Sequence, residues 1–182
     1  MKVAIINLPG NTGKTTLDIH LLTPLLTALR LRVEDFNSGD GEPDLELAAG
    51  KFKALSTELN VAGDGENFVI DIGASNATAK IERFSVLGTS RADIDFWLIP
   101  VEPAVKQKND SLNTASTLME IGVDPRKIIM VLNSETDPVT TAHNFEVVFA
   151  AAKLGIRSKV WPTRESSVSS WRWASIWKKK SV

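Results

Sequence analysis

The chain contains no cysteine, which excludes disulfides and thiolate metal sites and suits a reducing cytosol. Its only histidines, His20 and His143, stand far apart and in no ligand-spaced cluster, so both read as ordinary surface or core residues. No serine combines with a histidine and a carboxylate in a workable arrangement, so acyl-transfer hydrolysis is not expected. No apolar run approaches the ~20 residues of a membrane span. The start, Met1-Lys2-Val3, runs straight into a strand and is expected to carry no signal peptide. Neither sign of charge dominates: 21 Lys and Arg against 22 Asp and Glu leave a net charge of −1, so no global basic field points to nucleic acid. Repeats and low-complexity tracts are also missing, and a cytoplasmic location is expected.

What is present fits one α/β domain: 182 residues, 43% of them hydrophobic, are enough for a sizeable core. A continuously apolar run predicts a buried strand over Val3–Asn7; further strands are predicted over Arg32–Phe36, Asn67–Ile72, Phe96–Val101, Lys127–Leu132 and Ser158–Trp161, the second and the last of them short. Between them lie helical patterns. Leu17, Leu21, Leu22, Leu25, Leu26 and Leu29 make one stripe, broken or kinked at Pro24. Further helices are predicted over Leu45–Leu59, from after Asn76 to about Gly88, over Lys108–Ile121, over Val139–Leu154 and over Ser167–Lys179. Strands alternating with helices imply a mainly parallel sheet with helices on both faces. Ligands of such sheets sit beyond the carboxyl ends of the strands.

The most informative stretch follows the first strand: Leu8-Pro9-Gly10-Asn11-Thr12-Gly13-Lys14-Thr15-Thr16. A buried strand, a glycine-containing loop and Lys-Thr-Thr opening a helix form a phosphate cradle, because the curled backbone points its N–H groups at phosphate oxygens. In this reading Gly10, Asn11, Thr12, Gly13, Lys14, Thr15 and Thr16 bind the nucleotide phosphates, Lys14 also acting catalytically at the β/γ-phosphates. Thr15 and Asp71, which ends the third strand, hold Mg²⁺; Asp71 is alternatively the cap of the following helix. Asp35, at the end of the second strand, is either the carboxylate that orients an attacking water or a turn residue. Asn133 offers an amide that can pair with an adenine edge as donor and acceptor together, or is a strand-end turn residue. Pro162 is placed to flank the base by shape.

With these residues in order, the chain resembles the ParA/MinD family of deviant Walker A P-loop ATPases. Pro9–Thr16 matches the family's K-G-G-x-G-K-[ST]-T. Val33–Asn37 falls at its D-x-D strand, and Phe68–Gly73 at its D-x-P strand. Asp95–Val101 falls at its D-x-x-x-x-P strand, and Ile128–Asn133 at the strand with its base-contacting Asn. Gly10–Thr16 together with Asp71–Asn76 is similar to the StbB-type plasmid stability proteins. The resemblance implies a P-loop NTPase fold over residues 1–182, ATP or ADP with Mg²⁺, and a role in plasmid stability, partition or positioning. It also implies a nucleotide-dependent homodimer that binds DNA, a DNA-binding partner or a membrane. The family's bridging lysine is replaced here by Pro9, which carries neither charge nor N–H, and its second aspartate by Asn37. Binding is therefore expected to survive better than hydrolysis.

The C-terminal stretch, residues 167–182, holds three of the five tryptophans, Trp171, Trp173 and Trp177, and ends in lysines. As a basic amphipathic helix it suits an anionic membrane surface, DNA phosphates, or packing of its Trp face on the domain. Two other functions share the cradle: a small-metabolite kinase or ligase, and an adaptor that binds no nucleotide. The kinase needs basic acceptor-binding side chains, whereas residues 37–50 are mostly acidic and apolar.

Overall fold

The computed structural model describes residues 1–8, 10, 12–33, 45–47, 66–73, 94–133 and 138–160. Seven strands form one sheet: β1 (Lys2–Ile6), β2 (Leu29–Val33), β3 (Leu45–Leu47), β4 (Phe68–Ile72), β5 (Phe96–Val101), β6 (Ile128–Leu132) and β7 (Arg157–Val160). Their order is β3-β2-β4-β1-β5-β6-β7, and every pairing is parallel. Among the described residues the α-helices are α1 (Lys14–Leu17), α2 (Thr23–Leu26), α3 (Val105–Glu120), α4 (Pro138–Asn144) and α5 (Glu146–Ala150). Among them none is long and apolar enough to cross a membrane.

The central strands β1, β5 and β6 are buried on both faces and read as apolar runs, whereas β2, Leu-Arg-Leu-Arg-Val, alternates and β7 is partly exposed. On one face Val3 and Ile5 meet Leu17, Leu21, Leu22 and Leu26. On the other, Ala4, Ile6, Trp97 and Ile99 pack with Ala115 and Leu118 of α3 and with Phe145 and Val148. Helices thus cover both faces, and β1 lies between β4 on one side and β5 on the other. The chain winds from β1 to one edge of the sheet and later to the opposite edge. The end of β1 is therefore a switch point, where a crevice opens above the strand ends.

The expected strands are present, with shifted ends. β2 begins at Leu29 rather than Arg32, so Leu29 leaves the helical stripe and is 43% exposed at the head of a strand. The expected helix over Leu45–Leu59 is corrected at its start: residues 45–47 pair with β2 as a parallel strand. Leu-Glu-Leu satisfies a period of two as well as a helical one, and an open strand edge decides between them. The remainder of that segment lies outside the described residues, as do the helix predicted up to Gly88 and the one over Ser167–Lys179.

The disturbance expected at Pro24 takes the form of a widened ladder ahead of it and not of a break, since α2 runs through Pro24. After α1 the chain makes a wide π-type turn over Asp18–Leu22, with Thr23 N–H bonded to Asp18 O, before α2. Pro24 has no N–H for the ordinary rung to His20, so the ladder widens just ahead of it. The helix predicted over Val139–Leu154 is interrupted at Phe145, whose φ of −116° is not helical. Its ring is fully buried, and core packing sets the direction of the chain there.

Candidate functional site

The loop leaving β1 is pinned before it begins. Asn7 is fully buried; its Nδ2 donates to Pro100 O at 2.6 Å and to Ser111 Oγ at 2.8 Å. Its Oδ1 accepts from Thr114 Oγ1 at 3.0 Å, and Thr114 Oγ1 in turn accepts from the Leu8 N–H at 3.1 Å. β5 and α3 therefore hold the start of the loop in place. Sequence reasoning did not single out Asn7; the available signal was an amide side chain closing a wholly apolar strand.

At the far end of the loop Gly13 has φ 83°, the left-handed region that favours glycine, and its carbonyl accepts the first helical bond from Leu17 N–H at 2.8 Å. A Cβ on Gly13 would stand 2.7 Å from Asn133 Nδ2, whereas one on Gly10 would meet nothing within 4 Å. Lys14 opens α1 and is buried. Thr15 Oγ1 donates to Asp71 Oδ2 across 3.0 Å. A cavity of about 530 Å³ is enclosed by Gly10 and residues 12–16 with Asp71, Gly73, Glu102 and Asn133, a volume that suits a small-molecule ligand.

Asp71 is the strained member of this group. It is 4% exposed, and burial pushes its carboxyl pKa above the usual carboxylate range. The Thr15 hydrogen bond opposes that push, the negative charge of Asp18 adds to it, and the positive charges of Lys14 and Arg32 oppose it. Its Oδ1 and the Thr12 hydroxyl are buried with no hydrogen-bond partner among the described residues. A buried carboxylate oxygen without a donor, beside a threonine hydroxyl, is the donor set a hard divalent cation takes. Thr15 and Asp71 therefore fit Mg²⁺.

The same sheet face carries the other buried charges. Arg32 is 3% exposed and is the register partner of Asp71 on β2. Asp18 binds Arg30 at 2.8 Å and accepts from Thr23 Oγ1 at 2.7 Å. Asn133 follows β6 and donates from its backbone N–H to Val101 O at 2.8 Å and from Nδ2 to Glu102 Oε1 at 2.7 Å. Glu102, placed by the end of β5, was not picked from the sequence; a lone glutamate between two prolines becomes visible only when β5 and β6 lie side by side.

The structure thus brings Gly10, Thr12, Gly13, Lys14, Thr15, Thr16, Asp71 and Asn133 to one cavity. Pro9, Asn11, Asp35, Asn37 and Pro162 lie outside the described residues. Asp95 is at the opposite end of the sheet, where its Oδ2 accepts from Lys2 N–H at 3.0 Å, so this member of the D-x-x-x-x-P resemblance is structural. His20 and His143 are exposed.

No protein-family model matches the sequence, and no curated protein matches it. Solved structures do match the fold. The chain is similar to the MinD cell division protein of Aquifex aeolicus, with a TM-score of 0.56 and 15% identity over 88% of this chain and 81% of that one. It is similar to the same organism's MinC:MinD complex, with a TM-score of 0.57 and 15% identity over 92% and 84%. A plasmid partition protein of Borrelia burgdorferi B31, solved with AMPPNP bound, gives a TM-score of 0.54 and 13% identity over 92% and 93%. The chain therefore has the α/β fold of MinD and partition-type P-loop NTPases.

Proposed function

We propose that this chain is a Mg²⁺-dependent ATP-binding protein of the ParA/MinD kind, working by nucleotide-controlled association. Gly10, Thr12, Gly13, Lys14, Thr15 and Thr16, with Asn11, cradle the phosphates, and Thr15 and Asp71 hold the cation. The observation that carries this reading is the Thr15–Asp71 bond of 3.0 Å, with the second Asp71 oxygen buried and without a donor among the described residues. The fold alone would not carry it, because one fold hosts many functions. The partition protein solved with AMPPNP and the MinD solved with MinC are in keeping with a nucleotide site and a protein partner.

In this reading turnover is slow. Pro9 cannot bridge two subunits as a lysine does, and Asn37 cannot act as a base, which leaves Asp35 and Lys14 as the catalytic candidates. The biological role is plasmid stability, partition or positioning in the cytoplasm, of the StbB type. Its partners are a second copy of the chain, and DNA or a DNA-binding protein; the Trp- and Lys-rich residues 167–182 suit contact with an anionic membrane surface.

The test is ATP and ADP binding with and without Mg²⁺, with Lys14→Ala as control and molecular mass in solution followed in parallel. Lys14-dependent binding with a nucleotide-dependent change in mass or DNA binding is the expected result. Rapid phosphate transfer to a small acceptor would replace this reading by a kinase. Loss of all Lys14-dependent binding would leave an adaptor.

A further inference from the structure

Arg32 is a buried cation next to Asp71, yet it is not among the residues that enclose the cavity. It stands opposite Asp71 in the parallel register of β2 and β4, and residues paired in this way share one face of the sheet. The same row continues through Ile5, Leu98 and Ile129, all of them apolar and fully buried. In the other direction the row ends at Glu46 of β3, one strand further from Asp71. The charges around Asp71 divide by what can answer them. Asp18 is paired with Arg30 at 2.8 Å. Lys14 lines the cavity, so an anionic ligand there can take up its charge. Arg32 is held by β2, and its charge reaches the carboxylate whatever else its guanidinium bonds to. Burial pushes the Asp71 carboxyl up, and the Thr15 bond and the charges of Lys14 and Arg32 oppose that push.

We infer that Arg32 is a specificity-determining residue of the cation site: its fixed positive charge excludes a free divalent ion and admits one only together with phosphates. The inference rests on the reading above, in which Thr15 and Asp71 hold the cation. A divalent ion at Asp71 gains one carboxylate but meets the like charges of Lys14 and Arg32, in a buried setting where screening is weak. Arg32 also favours the ionised form of Asp71, which helps a cation. At similar range, however, its attraction for a carboxylate counts once and its repulsion of a divalent ion counts twice. Repulsion wins. One carboxylate and one hydroxyl are few ligands for a hard cation, whereas phosphate oxygens add ligands and offset both positive charges. Specificity of this kind comes from an unfavourable pairing built against the wrong ligand. A state filled by metal alone is thereby avoided, and association of the chain follows the nucleotide and not the surrounding Mg²⁺.

The experiment titrates MgCl₂ into the nucleotide-free full chain at constant ionic strength and follows Tm, with Mg-ATP binding to wild type measured in parallel by calorimetry. Ligand binding to the folded state raises Tm, so the titration reports affinity. Arg32→Met, apolar and of similar length, should take up Mg²⁺ alone about tenfold more tightly than wild type, or better. Arg32→Gln removes the charge with a polar side chain and should give the same gain, which covers the case of a poorly folding methionine variant. Arg32→Lys keeps the charge and should behave as wild type. Adding Asp71→Asn to Arg32→Met should abolish the gain, which places the ion at Asp71. A merely structural role for Arg32 would lower Tm and leave its dependence on Mg²⁺ alone. An unchanged Mg²⁺ dependence in both neutral variants therefore overturns the inference, as does a gain in Arg32→Lys equal to that of Arg32→Met, or a gain that survives Asp71→Asn. Failure of wild type to bind Mg-ATP instead removes the nucleotide reading on which the inference stands, a result the Mg²⁺ titrations by themselves do not produce.

Discussion

Thr15 and Asp71, 56 positions apart in the chain, meet across 3.0 Å because β1 and β4 are parallel neighbours and α1 begins over the gap beyond their ends. The contact leaves one carboxylate oxygen satisfied and the other buried without a donor among the described residues. A buried carboxylate oxygen without a donor costs the fold stability.

Asp71→Asn should therefore act in opposite directions on stability and binding. Neutralising the buried carboxylate should stabilise the nucleotide-free protein by on the order of 1 kcal/mol, read from urea unfolding. The same change should weaken Mg²⁺-dependent nucleotide binding by about tenfold or more, since a neutral amide is a poor ligand for a hard cation.

The stability gain of that variant should depend on pH. Burial raises the Asp71 pKa in the folded state, so the folded state favours the protonated acid. At acid pH, below the unfolded value of 3.8, Asp and Asn are both neutral and the two proteins should differ little. As pH climbs through the raised folded value, wild type loses stability that the variant keeps. Unfolding free energies of both proteins across that range should diverge upward; parallel curves would refute the assignment.

The two glycines of the loop should respond differently. Gly13→Ala places a Cβ at φ 83° and within 2.7 Å of Asn133 Nδ2, and should cost about 1–3 kcal/mol with a fall of several degrees in Tm. Gly10→Ala meets nothing within 4 Å and should leave Tm nearly unchanged. Thermal melts of the two variants side by side check the contrast.

Asn7→Ala should be among the most damaging single changes near the site. It removes the buried bonds to the Pro100 carbonyl, Ser111 Oγ and Thr114 Oγ1, although Ser111 and Thr114 keep their bonds to the Gln107 and Asp110 carbonyls, at a cost of about 2–3 kcal/mol. Because Thr114 also holds the Leu8 N–H, hydrogen exchange at Leu8 should accelerate well beyond the change seen in β6.

Breaking the Asp18–Arg30 pair with Asp18→Ala should cost about 3 kcal/mol, because it removes the carboxylate that faces a largely buried guanidinium. The pair is 11% and 2% exposed on its two side chains. Replacing both residues, Asp18→Leu with Arg30→Met, should recover much of the loss; a double-mutant cycle by chemical unfolding measures it.

The sequence by itself determined the parallel α/β class and marked the glycine loop between β1 and α1. A sheet buried on both faces demands continuous apolar strands, and a phosphate loop demands glycine and Lys-Thr at fixed spacing, so both are local patterns. That Gly10, residues 12–16 and Asp71 line one cavity was expected for that reason. Tertiary structure decided what depends on neighbours distant in the chain. Leu45–Leu47 became a strand because β2 offered an unpaired edge, and Leu29 moved from a helix stripe to a strand head because the helix ended at Leu26. Asp95 went to the far end of the sheet. The contacts of Asn7 and Glu102 exist only because the folded sheet set Asn7 beside α3, and Glu102 beside Asn133. A hydrogen bond between side chains about a hundred residues apart, as from Asn7 to Ser111, leaves no periodicity in the sequence, since its geometry is set by strand order.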